Sequence, residues 1–307
     1  MSWPAADELC AGVVAFGQPP ADRIGEQAQG EVPERLNGRD WKSRDGGNLV
    51  RGFESLPLRI DETDSPKTLD RPAFYALRPG GWRDIVTVLH PPYTAWNLAN
   101  VAIGAAVAPH LYAGRLVATL CAFLLGVGVC AHALDELNGR PLGTHLSSRT
   151  LAVMAGVSLA GAVALGVVGA VTISLTLIPF VLAGAFIVLA YNLEWFGGRF
   201  HTAFWLAAAW GAFPALTGYW VNALQLRASA LLAAIACFML TIAQRRLSTP
   251  VRELRRRTVS LSGEQHLADG TVVQLDAARL AAPLEGALGA WALGVVLLAV
   301  GLVLARL

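Results

Sequence analysis

Seven apolar stretches, each near the roughly 20 residues that carry a helix across a bilayer, fill most of the chain after residue 94. No other feature constrains the fold as strongly. They run approximately over 94–112, 115–134, 150–169, 171–192, 202–223, 228–244 and 286–305, with polar or charged breaks between them. The stretches are dense in Gly and Ala, as in Ala102-Ile103-Gly104-Ala105-Ala106, which lets transmembrane backbones approach closely. The expectation is an all-α, polytopic transmembrane bundle of about seven spans.

Composition agrees, and it also divides the chain. Hydrophobic residues make up 54% of the sequence and charged residues 15%, well below a soluble domain. Residues 1–84 hold 11 Lys/Arg and 14 Asp/Glu, whereas 85–307 hold only 13 and 8. A formal net charge of +2 and the absence of lysine after Lys67 give no basic surface for nucleic acid. The low share of charged residues speaks against a soluble enzyme. Cys121, Cys130 and Cys237 fall in apolar runs and Cys10 in the polar leader, with no metal or disulfide spacing.

Positions 1–84 are therefore expected to be a leader apart from a membrane domain over 85–307. The first 70 residues are polar, lack either structural period and lack the apolar core of a signal peptide, so they are expected to be disordered. Read back into codons, Gly52-Phe53-Glu54-Ser55 gives the T-arm sequence of a transfer RNA gene. The 31 codons from Gly30 to Ile60 suit a serine transfer RNA. The expectation is a start codon placed too far upstream.

Orientation follows from arginine. With the leader inside, the loops after the second, fourth and sixth stretches hold Arg140, Arg149, Arg199, Arg245, Arg246, Arg252, Arg255, Arg256, Arg257 and Arg279, and the opposite loops only Arg115 and Arg227. The expected location is the cell membrane, multi-pass, with the active face cytoplasmic.

Three clusters lie on that face. Helical spacing puts Asp135 and Glu136 three and four residues after His132, so that one face carries all three, and imidazole with carboxylates can hold a divalent ion. A solvated helix end is the plain alternative. Tyr191, Asn192, Arg199 and His201 form the second cluster, which also reads as ordinary interface anchors. The third places six arginines within residues 245–257, suited either to anionic lipid or to diphosphate, which a guanidinium fork grips well. Beyond it, Asp269-Gly270 between short alternating runs predicts a hairpin over Gly263 to Asp276.

Over residues 88–305 the chain resembles the UbiA-type membrane-integral prenyltransferases. His90-Pro91-Pro92-Tyr93-Thr94 leading to Asn97 resembles the family's opening span. His132 to Gly139 sits where that family has Asn-Asp-x-x-Asp-x-x-x-Asp, and Gly211 to Trp220 resembles its fifth-span signature. The resemblance implies a helical bundle, open laterally to lipid, in which magnesium held by two aspartate motifs binds an isoprenoid diphosphate. The diphosphate ionises and the allyl group passes to a lipophilic acceptor, a transfer of an alkyl group other than methyl. Here Ala131 occupies the Asn position, His132 the first Asp, Asp135 the second and Gly139 the third, while the arginine-rich segment replaces the second motif. Such a swap suits less metal. His132, Asp135 and Glu136 are the expected catalytic and metal-binding set, for at most one magnesium. Arg245, Arg246 and Arg252 are expected on phosphate, with Asn97, Arg140, Tyr191, Asn192, Arg199 and His201 around the substrate. Lipids and the two substrates are the expected partners. The second reading is a non-catalytic descendant that binds a lipid or a partner protein.

Overall fold

The computed structural model describes residues 71–307, and the expectations for residues 1–70, Cys10 included, lie outside the described residues. After a short helix α1 (Trp82–Val88) come α2 (Pro91–Ala106), α3 (Ala113–Leu137), α4 (Ser148–Thr172) and α5 (Leu175–Asn192). Then follow α6 (203–223), α7 (Ala228–Arg256), a hairpin of β1 (Gly263–His266) and β2 (Val272–Leu275), and α8 (Ala277–Leu304). Five of these helices, α3, α4, α5, α7 and α8, are long and apolar enough to cross a membrane. The stretch expected at 94–112 is only the 16-residue α2.

The helix boundaries have local causes. Pro91 and Pro92 open α2, where proline's fixed φ suits the first turn and its missing N–H costs nothing. Ser147, Thr202 and Asp276 cap α4, α6 and α8, each side chain accepting from a backbone N–H three residues on. The hairpin forms where it was expected, with Gly270 at φ 84° and the Asp269 carboxylate accepting from Thr271 N at 2.9 Å.

Two helices carry a π-helical stretch, Leu124–Ala131 inside α3 and Ala208–Ala212 inside α6. Such segments leave backbone carbonyls poorly placed, and one is repaired from a neighbour: the buried Asn100 of α2 donates from Nδ2 to the Trp210 carbonyl at 3.0 Å.

α2 runs between α6 and α8 at the centre of the bundle. Its crossing with α6 is backbone against backbone. A methyl group on Gly104 would fall within the Ala215 carbonyl, and one on Gly218 within the Val101 carbonyl. Hydrogen bonds tie the two ends of the bundle separately. At one end Asn138 Nδ2 donates to the Asn192 carbonyl (3.0 Å) and Arg255 Nη1 to the Arg71 carbonyl (2.9 Å). At the other, Tyr112 N donates to Asn222 Oδ1 (2.8 Å) and Arg306 Nη2 to the Pro109 carbonyl (2.7 Å).

The boundary expected at residue 85 falls inside folded chain. Ala73 and Ala76 are buried with Leu142. Asp84 is buried too, accepting from Gly80 N at 3.0 Å and from His145 N at 3.2 Å. Composition grouped 71–84 with the leader, yet the Asp84 carboxylate and the Leu77 main chain are held by hydrogen bonds to His145 N and Thr87 Oγ1. Residues 71–84 form a strap across the arginine-bearing end.

Candidate functional site

Under the strap lies a cavity of about 330 Å³, enclosed by the ends of five helices. α2 contributes its N-cap His90 together with Tyr93, Trp96 and Asn97, at the spacing of one helix face. α3 gives Ala131, His132 and Asp135; α5 gives Tyr191 and Asn192; α6 gives Leu206 and Trp210. The richest wall is α7, whose Thr241, Gln244, Arg245, Ser248, Arg252 and Arg256 follow the i, i+3/i+4 rhythm of a single stripe. The strap closes the top with Pro72 to Tyr75.

Eight of the twelve residues singled out from sequence line this cavity: Asn97, His132, Asp135, Tyr191, Asn192, His201, Arg245 and Arg252. The other four do not, each for a physical reason. Glu136 is fully buried and faces the loop after α3. Its carboxylate accepts from Leu142 N (2.9 Å), from Thr144 N (2.8 Å) and from Thr144 Oγ1 (2.9 Å). Arg140 reaches along the same loop to the Leu146 carbonyl and to Ser148 Oγ. Arg199 is exposed, beyond the end of α5. Arg246 is exposed because it lies about 100° around α7 from Arg245.

Among the lining groups not singled out as site residues are Tyr75, His90, Tyr93 and Arg256. The Arg245, Arg252, Arg256 series was legible, since steps of seven and four residues return to one helix face. His90 and Tyr93 were visible in the opening motif. Tyr75 left no signal, because nothing in its neighbourhood shows a period.

The electrostatics are lopsided. Arg245, Arg252 and Arg256 face the cavity, and among the described residues Asp135 is the single carboxylate lining it. Among the described residues none of these three guanidiniums forms an ion pair; the Arg255 guanidinium instead engages Glu285 on α8. Arg252 gives one hydrogen bond to Thr249 Oγ1 at 3.3 Å, and Arg256 donates from Nε to the Pro72 carbonyl at 3.1 Å. Burial lowers the His90 imidazole well below its ordinary value, and His132, Arg256 and Arg252 act in the same direction. It is therefore neutral at physiological pH. Burial raises the Tyr75 phenol far above its usual range, so it stays protonated. His90 and His132 stack with ring centroids 4.2 Å apart.

Of the trio expected to hold magnesium, His132 and Asp135 line the cavity and Glu136 faces away from it. With Glu136 committed to Leu142 and Thr144, and with His132 Nδ1 against the Gly128 carbonyl (3.2 Å), the expected trio is dispersed. Among the described residues no three His, Cys, Asp or Glu side chains form a metal-ligand group. What the arrangement offers is a cationic, partly buried cradle for an anion of several charges. Glu136 should instead carry stability. Replacing it by alanine strands two buried N–H groups and a hydroxyl, at about 3 kcal/mol or more. Glu136→Ala should lower the thermal midpoint of the purified protein markedly and Glu136→Gln much less, since the amide oxygen keeps one acceptor. Equal midpoints for the two variants would refute that role.

No protein family, no curated protein and no solved structure matches the chain.

Proposed function

We propose that this chain is a diverged, UbiA-like membrane-integral prenyltransferase of seven spans, which moves an isoprenoid group from its diphosphate to a lipophilic acceptor. The observation that carries the reading is the stripe of Arg245, Arg252 and Arg256, three guanidiniums without a carboxylate partner among the described residues, facing a cavity set among apolar helices. Bare cations in such a place are costly unless an anion completes them. A diphosphate supplies up to three negative charges and oxygens for several charge-assisted hydrogen bonds.

In this reading the allylic C–O bond breaks heterolytically and its electron pair leaves with the diphosphate. Charge growing on the bridging oxygen is met by guanidiniums already in position, without reorganisation. The acceptor's electron pair forms the new bond to the allyl carbon, and the acceptor loses a proton, for which the Asp135 carboxylate in the cavity wall is the proposed base. Tyr191, Asn192 and Asn97 bound the space beside it. In this reading the protein sits in the cell membrane, and the arginine excess at this end supports a cytoplasmic orientation for it.

A second reading, a non-catalytic binder of the same anion, is favoured by one observation: the acid set is reduced to Asp135. Titration of a fluorescent isoprenoid diphosphate against the full chain in nanodiscs tests both. Binding should survive chelation of magnesium with less than about a threefold loss, because the anion's partners are arginines. Turnover with added quinone precursors separates enzyme from binder. Absence of any diphosphate binding ends both readings.

A further inference from the structure

Below the polar cavity lies a second one, of about 140 Å³, walled almost entirely by aliphatic and aromatic side chains. The two share a single residue, Trp210. Three helices pass through both in the same order. Along α3, Val127 lines the apolar cavity and Ala131 the polar one, four residues or about 6 Å further toward the arginine-bearing end. Along α5, Val188 lines the former and Asn192 the latter. Along α6, Phe213 lines the former and Leu206 the latter, with Trp210 between them. The cavities therefore follow one another along the three helices, and Trp210 borders both.

The bordering side chain is held in position. Trp210 is 7% exposed, its ring lies 4.7 Å from that of Tyr191, and its carbonyl is held by Asn100. It sits in one π-helical stretch and faces the level of the other, which supplies Val127 and Ala131. π-helical turns are rare and recur at functional sites. The room below the indole exists because small residues, Gly126, Ala162 and Gly184, line it; a methyl group on Gly126 would meet nothing nearer than the Ala162 Cβ at 3.7 Å.

We infer that the apolar cavity seats the far end of the hydrocarbon chain whose diphosphate lies among the arginines, and that Trp210 sets how long a chain is accepted. The inference rests on the transferase reading for its anion. The occupant follows from continuity: the polar cavity that would hold an amphiphile's head has Trp210 in its wall, and the cavity on the other side of Trp210 is greasy. Asn100 acts as a positioning residue for that indole.

The test compares inorganic diphosphate with geranyl, farnesyl and geranylgeranyl diphosphates, each titrated against the full chain in nanodiscs. Trp210→Ala should shift the preference toward geranylgeranyl over geranyl by about tenfold or more, since further methylenes gain a buried seat. Ala162→Phe, which fills the lower cavity, should move the preference the other way by a similar factor. Inorganic diphosphate should bind the unaltered protein and Ala162→Phe alike. If Trp210→Ala does not fold, Ala162→Phe decides alone. Unchanged chain preference with intact inorganic diphosphate binding overturns the chain seat and leaves the transferase reading standing. Loss of a co-purified phospholipid in Ala162→Phe, without a change in chain preference, also overturns it and gives the cavity to a bilayer lipid. Should the unaltered protein bind neither inorganic nor isoprenoid diphosphate, the transferase reading fails first and the chain seat with it.

Discussion

Gly104→Ala and Gly218→Ala will each prevent the bundle from closing. At both positions the added methyl group would coincide with a backbone carbonyl of the facing helix, that of Ala215 for the first and of Val101 for the second. Neither obstacle is a side chain that can turn aside, so α2 and α6 must separate along their whole contact. α2 is also packed on α8, and the shift would spread across the centre of the fold. Overpacking a tight core costs about 1–3 kcal/mol, and a rigid backbone obstacle puts these sites at or above that range. Size-exclusion profiles and thermal midpoints after membrane extraction should show aggregation or a large loss. The control is Gly289→Ala, at a glycine with no atom within 4 Å of the added carbon. A Gly104→Ala protein as stable as Gly289→Ala would contradict the backbone crossing.

Arg252→Ala is expected to weaken isoprenoid diphosphate binding by about 1.5–3 kcal/mol, roughly ten- to more than a hundredfold in Kd. Arg252 stands mid-stripe, between Arg245 and Arg256, with only Thr249 Oγ1 as a side-chain partner. Removing it therefore takes away an anion contact and little structure. Arg246→Ala supplies the contrast: its side chain is exposed on another face of α7, and binding should change by less than about twofold. The pair distinguishes a geometric cradle from a general basic field, since both arginines carry the same charge seven or fewer residues apart. Equal losses in the two variants would assign the effect to net charge and remove the stripe as a specific site.

Much of the helical layout was legible because apolar runs of bilayer length admit few alternatives. Within the site, legibility followed helix geometry. Arg245 and Arg252 share a face at a step of seven and both line the cavity, whereas Arg246 was grouped with them by adjacency, which helices do not honour. His132 and Asp135 reached the cavity as their spacing predicts. Glu136 did not, because the loop from Asn138 to Thr144 presents buried N–H groups that need an acceptor, a demand set by tertiary contact and invisible in spacing. Tyr75 belongs to a strap held in part through its main chain, since the carbonyls of Arg71 and Pro72 accept from Arg255 and Arg256, and no side-chain period marks it. Trp210 read as part of a span signature, and its place on the border of both cavities is one that no linear pattern encodes.

The π-helical stretches bear on how this chain tolerates change in length. A π turn houses one residue more than an α turn, so α3 and α6 each contain a residue that a regular helix would have no place for. Deleting a single residue from Ala208–Ala212 would let α6 relax to uniform α geometry. Everything on one side of the cut would then swing by about 100° relative to the other. Leu206 and Phe213, which now look into adjoining cavities, would no longer share a face. Insertions and deletions of one residue, ordinarily confined to loops, here have a foothold inside two buried helices, and a lineage could gain or lose this arrangement in one such step without touching any loop.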